Sequence, residues 1–270
     1  MNTTIAPTDR ATAVVSTHVD RLDPITLDEL DELAALQTRV DRKYVLTPDE
    51  VHELLSAVAR QPVAARVLEI GGARTFTYDS TYFDTPELTT FHQAARRRRR
   101  RFKVRTRTYV DTGGTFLEVK TRAARGVTVK VRRPTDPELR TLQADDHDFV
   151  DDRLAAARVA APPSSDLVPV LSSRYRRTTL LLPDVRMTLD TSLAWRLAPG
   201  YDGGTHHADV GDLVVVETKA GTAPSSVDRL LWRSGHRPDR ISKYATGLTV
   251  LRPDLPDHPW RRLRRERLAA

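Results

Sequence analysis

The sequence contains no cysteine, which excludes disulfides, thiol nucleophiles and thiolate zinc sites. No Walker loop, dinucleotide fingerprint or Gly-x-Ser-x-Gly elbow occurs. The eight histidines do not fall at ligand spacing, and His206-His207 lies in a Gly- and Asp-rich loop that reads as surface rather than as a metal site. Long apolar runs are missing too. The longest, Leu180–Leu182 and Leu213–Val216, are far short of a membrane span. The first residues, Met1-Asn-Thr-Thr-Ile-Ala-Pro, have neither a basic n-region nor an apolar h-region, so a soluble, cytoplasmic chain is expected.

What is abundant is positive charge. The formal net charge is +7 and the pI near 9.9, which favours an anionic partner: nucleic acid, phosphate compounds or a membrane surface. Much of the excess lies in the unbroken run Arg96–Arg101 and in the stretch from Trp260 to Leu268. A chain of 270 residues holds one large domain or two small ones. The expected layout is a disordered leader over 1–22, a single domain over 23–252 and a basic tail over 253–270. The tail reads as a solvated helix rather than one resting on anionic lipid, although a place peripheral to the membrane stays open.

Periodicity supplies the elements. Thr26-Leu-Asp-Glu29 has the form of a capping box and opens a helix with an apolar stripe at Leu27, Leu30, Leu33, Ala34 and Leu36. Residues 39–46 alternate as a strand, with Arg39, Asp41 and Lys43 on one face. A second helix starts at Pro48. Residues 75–83 are aromatic and β-branched, a strand. Three strands joined by glycine turns follow, over 102–110, 116–122 and 127–132, the turns at Gly113-Gly114 and Gly126. At period two, Arg101, Lys103, Arg105 and Arg107 lie opposite Phe102, Val104, Thr106 and Thr108. Glu118, Lys120 and Arg122 share a face in the second strand, Lys130 and Arg132 in the third. A helical stretch is expected over 136–161, strands over 168–179, 185–191 and 213–219, and helices over 225–234 and 241–250. The fold class that follows is α+β: an antiparallel β-barrel with a polar lumen and flanking helices.

The cations Arg105, Arg107, Lys120, Lys130, Arg132, Arg177 and Arg186 recur on strand after strand, whereas an exposed sheet face normally mixes signs. Buried and unpaired, each would cost several kcal/mol, so they meet solvent or an anion in a lumen. The six consecutive arginines read as a solvated loop or a nonspecific polyanion patch, because neighbours in sequence cannot all point at one ligand. The acids on these faces are sparse: Asp41, Glu118, Asp190 and Glu217. A few carboxylates among many cations suit Mg²⁺ or Mn²⁺ bound together with phosphate oxygens. For Glu118 and Asp190, ion pairing across strands is an equal alternative. Glu217, ending an apolar strand, reads as a metal ligand. Stacking aromatics interleaved with the cations are limited to Phe102 and Tyr109, so no specific nucleic-acid partner is expected.

Six pieces then fall in order: Tyr78-x-Ser-x-Tyr-Phe-Asp-Thr85, Lys103-Val-Arg-x-Arg-x-Tyr109, Phe116-Leu-Glu-Val-Lys120, Arg186-x-Thr-Leu-Asp190, Val216-Glu-x-Lys219 and Ser242-Lys-Tyr244. From about Arg39 to Leu251 the chain resembles the VTC domain, the polyphosphate polymerase branch of the CYTH-like triphosphate tunnel metalloenzymes. The resemblance implies a β-tunnel lined by basic residues, ATP and inorganic polyphosphate as partners, and a divalent metal on a lumen glutamate. It also leaves room for a membrane protein as partner. It assigns Lys43 to the first strand's lysine, Arg105 and Arg107 to the paired arginines, and Lys120 and Lys130 to the next two strands. Tyr175 and Arg177 match a Tyr-x-Arg strand, and Arg186 the arginine before the Leu-Asp pair. Glu217 becomes the metal ligand, with Glu118 and Asp190 beside it as candidates. Ser242 and Lys243 become the acceptor-side pair, and Arg132 and Lys219 join the substrate contacts. One departure matters: the superfamily's hydrolases begin Glu-x-Glu-x-Lys, whereas this chain has Arg39-x-Asp-x-Lys43. Losing the first glutamate removes a metal ligand and adds phosphate affinity, which moves the expectation from hydrolysis to transfer. A triphosphatase on the same fold and a non-catalytic polyphosphate binder remain the alternatives.

Overall fold

The computed structural model describes residues 10–34, 40–122, 128–136, 139, 141–201 and 206–268. Leu36, Arg39, Gly126 and Val127, each with an expected role, lie outside them, as does the start of the leader. The described elements are α1 (Arg10–Val19), β1 (Asp23–Ile25), α2 (Leu27–Ala34), β2 (Val40–Leu46), α3 (Pro48–Ala59), β3 (Arg66–Leu68), β4 (Thr75–Asp84), α4 (Thr89–Ala95), β5 (Arg101–Tyr109), β6 (Thr115–Arg122) and β7 (Thr128–Thr135). After them come α5 (Ala144–Ala156), β8 (Val168–Leu182), β9 (Val185–Leu197), β10 (His207–Asp209), β11 (Val214–Ala220), α6 (Ser226–Arg233), α7 (Lys243–Leu251) and α8 (Arg261–Leu263). The class is α+β, an antiparallel sheet with flanking helices, as expected. Strand pairing runs β2-β11-β9-β8-β4-β5-β6-β7, so the path has two ends, β2 and β7. One short pair, β1 with β3, is parallel.

The residues expected to form one domain divide into two compact units. The first holds the chain up to Phe76, Tyr175–Leu193 and Asp209–Arg240; the second holds Thr77–Arg174, Ala194–Ala208 and the chain from Ile241 onward.

In the first unit, one face of β2, β9 and β11 is apolar, through Leu46, Met187, Leu189, Val214 and Val216, and packs with Val51, Leu54, Leu55 and Val58 of α3. Each such side chain contributes roughly 1.5–3 kcal/mol on burial. Helix α3 starts where sequence requires: Thr47 and Glu50 form a capping box, with Pro48 in the first turn. Asp228 is buried at the start of α6 and gathers Tyr44 Oη at 2.8 Å, Thr218 Oγ1 at 2.7 Å and Arg42 Nη1 at 3.2 Å. The outer edge of β2 is occupied by Asp239, whose N–H donates to Lys43 O at 2.6 Å while its carboxylate accepts from Val45 N–H at 3.0 Å.

Two expectations are corrected in this unit. Residues 10–19, assigned to a disordered leader, form α1, whose Ala11, Val15 and Val19 join the core. Their i, i+4, i+8 spacing is the signal for it. The capping box of α2 forms, with Thr26 N–H donating to Glu29 Oε2 at 2.9 Å. Its apolar stripe does not go inside, however: Leu30 is buried while Leu27 and Leu33 are exposed.

In the second unit, Phe102, Val104, Leu117 and Val119 on one face of β5 and β6 pack with Val150 and Leu154 of α5. Helix α5 is shorter than expected because Asp146, its N3 residue, closes on the backbone of Gln143. Asp146 also accepts from Arg133 on β7. Asp84 accepts from Thr90 N–H, Thr90 Oγ1 and Phe91 N–H at the start of α4, and from Tyr244 Oη at 2.6 Å. The basic tail is not a solvated helix throughout. Trp260 and Leu263 are buried, with the Trp260 ring 5.8 Å from that of Phe91.

Candidate functional site

Each unit carries one charged sheet face. In the second unit the face is set by register. Across β4, β5, β6 and β7 the rungs read Ser80–Arg107–Phe116–Pro134, Tyr82–Arg105–Glu118–Arg132 and, from β5 onward, Lys103–Lys120–Lys130. Opposite residues of an antiparallel pair share a face, so the alternation seen in β5 continues sideways. Glu118 is nearly inaccessible. It receives Arg105 Nε at 2.8 Å and Nη2 at 2.5 Å on one oxygen, and Lys130 Nζ at 3.4 Å on the other. Burial would raise its pKa, but Arg105, Arg107 and Lys130 outweigh that and hold it at about 2. Lys130 is pushed down by burial and by the same arginines, against the pull of Glu118.

Around these lie residues to which the sequence argument gave no role. Arg105 Nη1 donates to Tyr82 Oη at 3.3 Å, Arg107 Nε donates to Ser80 Oγ at 3.4 Å, and the Arg107 guanidinium is over the Tyr78 ring at 5.4 Å. Burial would raise the Tyr82 phenol, yet Arg105, Arg107 and Lys243 bring it below its ordinary value. The signal was present: Tyr78, Ser80 and Tyr82 share period two on β4. Lys103 Nζ donates to Ser242 Oγ at 2.7 Å, and that oxygen also caps α7 by accepting from Ala245 N–H. Ser242, assigned to the acceptor, therefore has a structural task. Arg132 lies over Phe116 at 4.7 Å and donates to Tyr109 Oη at 3.2 Å.

In the first unit the rungs are Lys43–Glu217–Thr188 and Asp41–Lys219–Arg186 across β2, β11 and β9. Glu217 Oε2 meets Lys43 Nζ at 2.9 Å and its Oε1 meets Lys219 Nζ at 3.6 Å. Burial opposes its ionisation, but Lys43, Lys219 and Arg177 hold it well below the usual carboxylate range. Lys219 is pushed down to about 8 by burial, with Arg177 and Arg186 adding to the effect against Glu217 and Asp41. Arg177 binds Asp190 in fork geometry, Nε to Oδ1 at 2.6 Å and Nη2 to Oδ2 at 2.8 Å, and lies over the Tyr175 ring at 5.3 Å. Tyr175, assigned to the substrate contacts, is buried beneath that guanidinium. Arg186 Nη1 is 3.9 Å from Asp31 Oδ1. Thr188 Oγ1, beside Glu217, is buried with no hydrogen-bond partner among the described residues.

The three carboxylates assigned to metal fare differently. Asp190 and Glu118 form close ion pairs, Asp190 with Arg177 and Glu118 with Arg105 and Lys130. Among the described residues no group of three His, Asp or Glu side chains gathers to hold a cation. Glu217 fits a divalent ion only as a single protein ligand, its Oε1 having the looser ammonium contact, with the remaining positions left to phosphate oxygens and water.

The VTC domain model matches residues 38–252, and the chain belongs to that family. No curated protein matches it. Among solved structures it is similar to a candidate adenylate cyclase from Bacillus halodurans, at 14% identity and TM-score 0.49, over 78% of this chain and 96% of that one. It is also similar to a Hippeastrum protein described as a candidate adenylyl cyclase with a dominant triphosphatase activity, at 16% identity and TM-score 0.48, over 79% of this chain and 96% of that one. None of the described helices is long and apolar enough to cross a membrane.

Proposed function

We propose that the chain is a polyphosphate polymerase that transfers the γ-phosphoryl group of ATP to the end of a growing inorganic polyphosphate. The observation that carries this reading is that Glu118, Asp190 and Glu217 are each held by guanidinium or ammonium groups. The faces thus offer positive charge and hydrogen-bond donors, and these three carboxylates, held by cations, are poorly disposed to take a proton from water. Phosphoryl transfer needs charge neutralisation and positioning more than covalent help, and a phosphate acceptor is already ionised. Arg105, Arg107, Lys120 and Lys130 on one face, and Lys43, Arg177, Arg186 and Lys219 on the other, are the groups that bind and orient phosphates. Lys243 and Arg132 flank the first set. A divalent cation, Mn²⁺ or Mg²⁺, would neutralise charge developing on the phosphate oxygens, with Glu217 as its protein ligand. In this reading the chain works in the cytoplasm, and a membrane protein is the candidate receiver of its product.

The test is to incubate purified protein with ATP and Mn²⁺ and to resolve the products. Long polyphosphate with ADP is the expected result. Orthophosphate as the sole phosphate product would make the chain a triphosphatase, and unchanged ATP would leave a polyphosphate binder. Glu217→Ala is expected to abolish metal-dependent turnover while the protein stays folded; full activity in that variant overturns the cation assignment.

A further inference from the structure

The run Arg96–Arg101 is used by nothing in that reading. Arg96 ends α4, Arg97 takes φ 53°, and the N–H groups of Arg98 and Arg97 close on Gln93 O at 2.9 Å and Ala94 O at 3.1 Å. In this hydrogen-bond pattern the left-handed position is ordinarily glycine, so a guanidinium is kept where a residue without Cβ would be less strained. Arg96 to Arg100 are all exposed, and among the described residues none forms an ion pair with a carboxylate. Favourable interaction with the C-terminal end of α4 accounts for the first of them only, since that field fades within a turn.

The run also continues into the charged face without a break. Arg101 opens β5 directly across the ladder from Arg122, and the next rung is Lys103–Lys120–Lys130. Burial and the nearness of Arg122 both push Arg101 below its ordinary pKa. Like charges placed opposite one another are unfavourable until a polyanion lies along them. Nucleic acid is a poor occupant, because the adjacent aromatic, Phe102, is buried in the core and leaves no stacking platform. A lipid surface is a poor one too, because no exposed apolar side chain interrupts Arg96–Arg100 to enter it.

We propose that Arg96–Arg101, with Arg122, is a docking surface for the distal part of a long linear polyphosphate whose leading phosphates lie on the β5–β7 face, so that affinity grows with chain length. The identity of the occupant rests on the polymerase reading; the surface itself does not. Binding of tripolyphosphate and of long-chain polyphosphate to the full chain, without ATP, is measured over a salt series for the wild type. The same is done for a variant with Arg96 to Arg100 all changed to Gln and for one with all five changed to Lys. Circular dichroism checks that each is folded. In the Gln variant, long-chain affinity is expected to fall at least about tenfold, with a shallower salt slope, through lost counterion release. Tripolyphosphate affinity is expected to be unchanged, and the Lys variant is expected to recover most of the loss. Unchanged long-chain affinity, or an equal loss for tripolyphosphate, overturns the proposal. So does an equal loss for single-stranded DNA, or a loss confined to phosphatidylserine vesicles. If the wild type makes no polyphosphate yet binds it with this length dependence, the polymerase reading fails and the docking surface stands.

Discussion

The charged face of β5, β6 and β7 and that of β2, β9 and β11 are written in the same alternating code, yet they neutralise themselves to different degrees. On the first, Glu118 is surrounded by Arg105, Arg107 and Lys130, while Lys103, Lys120 and Lys130 stand like on like across the ladder. On the second, most cations meet an acid: Lys43 faces Glu217, Lys219 closes on the same carboxylate, and Arg177 is locked to Asp190, with Lys219 opposite Arg186 as a like-charged pair. Like charges directly opposite destabilise a sheet by roughly 0.2–1 kcal/mol per pair, a cost that a bound anion offsets. The first face thus carries the larger uncompensated positive charge, and the second neutralises more of its own.

The largest effects test this contrast directly. Asp190→Ala removes the carboxylate that holds the buried Arg177 in fork geometry and is expected to cost about 3–5 kcal/mol in chemical unfolding, with less restored by tripolyphosphate than in Glu118→Ala. Glu118→Ala is expected to lose stability as well, but tripolyphosphate should restore much of it by substituting for the carboxylate. Equal recovery in the two variants would break the comparison. A charge-neutral control follows. A methyl added at Gly247 would overlap the Trp195 indole, so Gly247→Ala is expected to cost about 1–3 kcal/mol through overpacking. Tripolyphosphate should stabilise this variant no more than it stabilises the wild type.

The acid limb of the stability curve gives a third test. Glu118 titrates near 2 in the fold against an ordinary 4.5. Between those values the unfolded chain binds the extra proton, so stability rises with pH there. The contribution is complete above about 4.5 and is lost as pH falls through about 2. Glu118→Gln is expected to flatten this limb in pH-dependent unfolding, and an unaltered limb would assign it to the other carboxylates held low, Glu217, Glu29 and Asp228 among them. The smallest effect is expected from Tyr82→Phe, which removes the acceptor of Arg105 Nη1 and should cost about 1 kcal/mol, read as a small shift in the unfolding midpoint.

Much of this was legible in the residues, and the losses have physical causes. Period two in Phe102–Tyr109 made the two faces of β5 plain, and the capping box at Thr26 and the first-turn Pro48 placed two helix starts. Side-chain partners across strands were harder, because register is a tertiary property. That Arg177 would fork onto Asp190 needs the pairing of β8 with β9, and without it a carboxylate among cations reads equally as a metal ligand. Tyr78, Ser80 and Tyr82 were quoted as a motif yet given no task, because an aromatic strand with no cation of its own looks like core. Helix α1 was missed because its three apolar positions are separated by polar and small residues in a stretch rich in Thr and Val, residues that favour helix weakly.

The contact of Asp239 with the edge of β2 has a bearing on self-association. A terminal strand offers unpaired N–H and C=O groups that a second chain can adopt as a template. Asp239 takes both the N–H of Val45 and the C=O of Lys43, so that template is filled from within the same unit. At the other end of the pairing order β7 is defended by composition instead. Pro134 supplies no N–H, and Lys130, Arg132 and Arg133 crowd the strand with like charge. Blunted edges of this kind keep copies of the chain from adding strand to strand.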